Sequence, residues 1–149
     1  MIKIEAGLSK ENEEVLFSDE SIQKLSRDGV PVSKIDHPCV KYYSAFVSGE
    51  FVGAFMIINN TRLDSEIHLL LLPISVKYYR YLCVLIINEA FLTAHRVTAK
   101  IYSHLKTIQN LVKKLGFSYE GTIRESFELN GKVMDIQIYG LLKSEWRSK

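Results

Sequence analysis

No glycine occurs between Gly53 and Gly116, the middle of a 149-residue chain that has 8 glycines in all. Glycine-rich loops that close backbone N–H groups around a phosphate are therefore excluded from that stretch. Cysteine is almost absent: the chain has 2, Cys39 and Cys83, which rules out a disulfide framework and predicts a reducing, cytoplasmic compartment. His37 and His95 have no cysteine or carboxylate partners at ligand spacing, so no zinc site is expected. There are 3 prolines, no repeat, no low-complexity segment and no linker, so residues 1–149 are read as one domain. The longest apolar run, "YLCVLIINEAFLTA", is too short for a bilayer and contains Asn88 and Glu89. The opening "MIKIEAGLSKENEEV" lacks the apolar core of a signal peptide.

What is present is a balanced globular composition, 47% apolar and 24% charged. The net charge of +2 is unevenly spread. Residues 1–75 carry 7 basic and 11 acidic side chains, and residues 76–149 carry 12 and 6. The basic half is compatible with a phosphate, a polyanionic cofactor or nucleic acid, and equally with a solvated surface. Arg96, Lys100 and Lys106 could form a basic patch. No nucleic-acid-binding motif or aromatic platform accompanies it, so nucleic acid is not the expected partner.

Hydrophobic periodicity divides the chain into alternating strands and helices. "MIKIEA" alternates as a strand, and "KENEEVLFSDESIQKLSRDG" reads as one or two helices with acidic first turns. "CVKYYSAFVSGEFVGAFMIINN" reads as two strands around a turn at Gly49. "SEIHLLLLP" is apolar after Glu66, as in a strand covered on both faces. A buried helix is expected from about Val76 to His95, then a strand in "RVTAKIYS". In "HLKTIQNLVKKLG", Leu105, Ile108, Leu111, Val112 and Leu115 share one helical face, and Gly116 suits the exit. A strand and hairpin follow, with Asn130-Gly131 as a type I′ turn. This order predicts an α/β (α+β) domain. Its mixed, mostly antiparallel sheet has a central parallel βαβ unit and helices on both faces.

That order, with "EIH", "LLP", "NEAF", "KLGF" and the "EG" that follows, resembles the GNAT N-acetyltransferase superfamily, including small GNAT-like proteins of bacteriophages. The resemblance implies attack of an amine on the thioester of acetyl-coenzyme A, held between two splayed parallel strands. Those strands would be Glu66–Leu72 and Val97–Tyr102, with backbone N–H groups of Leu70 and Leu71 on the cofactor. It implies a glycine-containing loop near Ser75 and Lys77, a thiolate-protonating tyrosine at Val112, and an asparagine at His104 or Leu105. All three are replaced here. Lys77 and Arg80 are then the candidate phosphate ligands, or simply the polar side of a helix start. Tyr78, Tyr79 and Tyr81 would fill the groove or form a contact surface.

Glu66 and His68, two apart on a strand, point to one face. Glu66 is the candidate general base and His68 its assistant or an amine ligand. The plainer account is a strand-end carboxylate and a hydrogen-bonded histidine. Tyr102 is the candidate replacement acid, or simply a packed aromatic. Two functions follow. One is an N-acyltransferase acting on acyl-CoA and an amine. The other is a catalytically inactive GNAT-fold component, virion-associated or assembling with protein partners. A nucleic-acid accessory role is the third and weakest, and steep salt dependence would reveal it.

Overall fold

The computed structural model describes residues 1–146. Seven strands form one sheet in the order β1-β2-β3-β4-β5-β7-β6. The elements are β1 (Ile2–Ala6), α1 (Lys10–Ser18), α2 (Glu20–Gln23), β2 (Val40–Val47), β3 (Glu50–Asn59) and β4 (Asp64–Leu71). A 3-10 helix, Pro73–Tyr78, leads into α3 (Tyr79–Ala90), followed by β5 (Arg96–Tyr102), α4 (Lys106–Lys114), β6 (Ser118–Leu129) and β7 (Lys132–Leu142). All neighbouring strands are antiparallel except β4 and β5. The expected α+β sheet with one parallel βαβ unit is the fold of this chain.

Local chemistry sets the element ends. Ser9 caps α1 by accepting from the Asn12 amide, and Asp19 caps α2 by accepting from the Ser21 amide. Ser48 and Gly49 both take positive φ in the β2–β3 turn, as do Asn130 and Gly131 in the β6–β7 turn. Gly116 leaves α4 at φ 103°. The middle helix is shorter than its apolar pattern predicts. Pro73 starts a 3-10 turn instead of an α-helix, so α3 begins only at Tyr79. At the other end, the amides of His95 and Arg96 both bond to the Leu63 carbonyl, drawing the chain into β5.

The two faces of the sheet are packed differently. On one face, Phe55, Ile57, Ile67, Leu71, Val97, Ala99 and Ile101 meet Leu82, Ile86 and Ile87 of α3 and Val112 and Leu115 of α4 in a single core. On the other, apolar residues fall into two separate clusters. Leu16 and Ile22 of α1 and α2 cover Tyr42, Ala54, Met56 and Leu70. Phe127, Leu129 and Ile136 form the second cluster with Tyr102 and Met134. Between these two clusters the same face carries polar residues of β4 and β5. Among the described residues no helix is long and apolar enough to cross a membrane.

Gly53 sits opposite Leu71 in the β3–β4 ladder at φ 138°, and a Cβ there would lie 2.6 Å from both the Leu70 carbonyl oxygen and Leu71 Cα. These are backbone atoms, so Gly53→Ala must displace β4 itself. Gly140→Ala would instead meet the ends of Glu120 and Arg96, which can swing away. Urea unfolding is expected to give a loss of about 3 kcal/mol for Gly53→Ala and about 1 kcal/mol for Gly140→Ala. The opposite ranking would contradict this packing.

Candidate active site

The parallel ladder between β4 and β5 has three pairs: Asp64 with Arg96, Ser65 with Val97, and Glu66 with Thr98. Both strands continue beyond it, β4 to Leu71 and β5 to Tyr102, each still paired on its outer side. The two strands therefore part after Glu66 and Thr98. The register decides which backbone groups face the opening. Amides at both ends of the β3–β4 ladder, Leu72 to Val52 and Asn60 to Asp64, mark the even residues of β4 as bonded to β3. Leu69 and Leu71 therefore turn their N–H groups toward the opening, and Leu70 turns its own toward β3. By the same logic, the bonds from Lys143 to His95 and from Ser103 to Asp135 assign the odd residues of β5 to β7. The peptide groups of Lys100 face the opening from the other side.

Side chains on the α1–α2 face close in on the point of divergence. Glu66 is buried, and its carboxylate meets three donors. Asn60 Nδ2 donates to Oε1 at 3.0 Å, His68 Nε2 lies 2.5 Å from Oε2, and Lys100 Nζ lies 3.2 Å from Oε1. Burial pushes the Glu66 carboxyl up. The hydrogen bonds from His68 and Asn60 and the charges of His68 and Lys100 outweigh it and take the group down to about 2. Glu66 is then an acceptor only, so His68 Nε2 carries the proton between them. In the neutral ring Nδ1 keeps its lone pair. Every fully buried side-chain nitrogen or oxygen among the described residues has a partner, and Nδ1 makes no protein hydrogen bond. It is therefore open to solvent.

The closed end of the strand pair is clamped. Arg96 donates to Glu120 through Nη2 at 2.7 Å and Nη1 at 3.2 Å, a two-pronged pair that crosses β7 over Gly140. Arg96 Nε also donates to Thr98 Oγ1 at 3.1 Å and lies 3.3 Å from Asp64 Oδ1. Thr98 donates to Asp64 Oδ1 at 2.6 Å. The hydrogen bond and charge of Glu120, with those of Asp64, raise the Arg96 pKa. Arg96 and Lys100, expected as part of a basic patch, are thus committed to acidic partners.

The other sequence candidates are dispersed. The Tyr102 hydroxyl donates to the Leu25 carbonyl at 3.1 Å and accepts from Arg27 Nε at 3.0 Å. Its ring packs on Phe127 with centroids 4.4 Å apart. Lys77 and Arg80 are exposed. Lys77 Nζ sits 5.2 Å above the Tyr78 ring, and Arg80 lines a shallow groove with Ile2, Tyr81, Val84 and Leu85. Backbone donors here are used internally: the Ser75 amide bonds to Leu72 and that of Tyr79 to Val76. Tyr78 and Tyr79 pack against the core, whereas Tyr81 is exposed. Val112 is core, His104 is exposed, and Leu105 packs on the core at the start of α4. Cys83 is buried, which pushes its thiol up to about 12 and leaves it a packing group. The sequence reading missed Asn60, hidden in a turn. It also missed Gln109, buried in α4, which donates to the carbonyls of Tyr102 and Ser103 and fixes the exit of β5.

No known family model matches the sequence, and no curated protein matches it. Solved structures do match. A spermidine N-acetyltransferase from Vibrio cholerae in complex with CoA and spermine superposes with a TM-score of 0.82 at 16% identity, over 97% of this chain and 96% of that one. A chimera of Vibrio cholerae SpeG spermidine N-acetyltransferase and hSSAT gives a TM-score of 0.79 at 18% identity, over 95% and 97%. With the order of strands and the parting of the parallel pair, these likenesses identify the fold as that of the GNAT acetyltransferases.

The depressed Glu66 carboxyl makes a stability prediction. Its folded pKa lies below the unfolded value, so its contribution is complete above about pH 5 and is lost as pH falls toward 2. Wild type should exceed Glu66→Gln by on the order of 3 kcal/mol at pH 6, with the gap closing as pH falls. A gap independent of pH would contradict the charged network.

Proposed function

We propose that the chain is an N-acyltransferase that moves an acetyl group from acetyl-CoA to an amine. The observation that carries this reading is the open edge between β4 and β5, where peptide groups of Leu69, Leu71 and Lys100 face a gap without a strand partner. A pantetheine arm carries amides that suit such groups, as a strand would. The solved neighbour holding CoA and spermine supports the pairing of an acyl-CoA with an amine. Acetyl-CoA supplies the acyl group and the leaving thiol. Leu71 N–H is the proposed donor to the thioester oxygen. Leu70, proposed with it on sequence, contributes its side chain to the α1–α2 cluster. Lys77 and Arg80 are the proposed phosphate contacts, acting through side chains because the local amides are engaged.

The proton is assigned to His68. A carboxylate held near pKa 2 is a weak proton acceptor, so the general-base role passes from Glu66 to the free Nδ1 of His68. Glu66 orients the ring and stabilises its charge once the proton arrives. The amine nitrogen bonds to the acyl carbon, the carbon–sulfur bond breaks, and the sulfur leaves with the electron pair. Tyr102 is the proposed acid for that sulfur, through exchange of its hydrogen bond to Leu25. A second reading, a GNAT-fold binding component without catalysis and with protein partners such as virion proteins, draws on exposed Ile74, Val76 and Tyr81 around the glycine-free turn.

Calorimetric titration separates the two. Acetyl-CoA is expected to bind with a micromolar Kd of order ~10 μM, and no binding at millimolar cofactor would overturn the transferase. With an accepted amine, His68→Ala should lower kcat about a hundredfold while cofactor affinity stays within about twofold. Unchanged turnover would remove His68 from the role.

A further inference from the structure

A single side chain joins the clamp at the closed end of the strand pair to the carboxylate at its opening. Asn60 lies in the β3–β4 turn, where its backbone amide bonds to the Asp64 carbonyl at 3.0 Å. The turn is fixed by Thr61, whose Oγ1 accepts from the amides of Leu63 and Asp64. The Asn60 Nδ2 group donates to Asp64 Oδ2 at 3.2 Å and to Glu66 Oε1 at 3.0 Å. Its amide orientation is set by chemistry, because a carbonyl oxygen in that place would face two carboxylates. The Asp64 carboxylate is itself held by Thr98 and Arg96, and Arg96 by Glu120. A continuous chain thus runs from β6 through Glu120, Arg96, Asp64, Asn60 and Glu66 to His68.

We infer that Asn60 is a positioning residue, which locks the Glu66 carboxylate in the orientation that presents Oε2 to His68 Nε2 and holds the ring with Nδ1 facing outward. For the transfer reaction this rests on the transferase reading; the geometric claim does not. Glu66 Oε1 also meets Lys100, which can pull it toward β5. With Asn60 on the opposite side, the two donors share Oε1 and leave Oε2 to the histidine. Without Asn60 the carboxylate can rotate, and the geometry that it imposes on the His68 ring is lost. The charged groups around this pair are Asp64 and His68 on β4, Lys100 and Arg96 on β5, and Glu120 on β6. From β3 the facing residues are the uncharged Met56 and Ile58.

The test uses the full chain without ligand, comparing wild type with Asn60→Ala and Asn60→Asp. Asn60 is an exposed turn residue whose backbone bonds survive substitution, and amide spectra check that each variant folds. Nitrogen chemical shifts of His68 report its tautomer, and the carboxyl carbon shift of Glu66 reports its titration. Wild type should hold one tautomer, with Nε2 protonated. Asn60→Ala should raise the Glu66 midpoint by about 1 pH unit. Asn60→Asp should raise it further, because it adds a third carboxylate beside Asp64 and Glu66. An unchanged midpoint in both variants would overturn the assignment. In turnover, Asn60→Ala should lower kcat about tenfold and leave KM within about twofold. If wild type fails to bind acetyl-CoA while the shifts change as stated, the transferase reading fails and the positioning role stands.

Discussion

The rest of the structure depends on where β4 and β5 stop pairing. Three ladder pairs hold them at one end, and beyond Glu66 and Thr98 each continues as a half-paired strand. Such an edge inside a sheet is costly unless its peptide groups find partners, because buried backbone donors and acceptors are nearly always satisfied. The chain keeps the two strands apart by anchoring each to its other neighbour, β4 to β3 and β5 to β7. Gly53 admits the backbone of β4 at close range, and Gln109 ties the exit of β5 to α4. The Asp64–Arg96–Glu120 clamp ties the closed end of the pair together.

The same parting explains why charge collects on one face. On the α3–α4 face a continuous apolar core runs under the sheet. On the α1–α2 face the two apolar clusters leave a strip over β4 and β5, and Glu66, His68 and Lys100 occupy it. A buried carboxylate in such a strip is tolerated only when it is fully donated to. Glu66 has three donors, and they make it a fixed anion instead of a proton carrier. The histidine beside it turns Nε2 to that anion and Nδ1 away from it.

Much of this was legible in the sequence. Alternation in "SEIHLLLLP" puts Glu66 and His68 on one face, the stripe in "HLKTIQNLVKKLG" finds α4, and Asn130-Gly131 marks the last turn. What was not legible depends on register between distant residues. The choice between Leu70 and Leu71 as the open amide follows from the bonds of Leu72 and Asn60 across to β3, which no local pattern encodes. Lys100 reads as a surface base until Glu66 is found opposite it. Asn60 reads as an ordinary turn asparagine, because its second role lies six residues along the chain in a neighbouring strand. The absence of glycine around Pro73 is plain in the sequence, but the 3-10 form of the turn and its internally bonded amides do not follow from composition.

The central claim is that the peptide edge of β4 beyond Glu66 is open and receives an acyl-CoA. Amide hydrogen exchange at Leu69 and Leu71 tests it most directly, with Leu70 as the internal reference bonded to β3. The account predicts fast exchange at Leu69 and Leu71 relative to Leu70 in the free protein, and protection of both on saturation with acetyl-CoA. Equal protection of all three without cofactor, or no change at saturating cofactor, would contradict it.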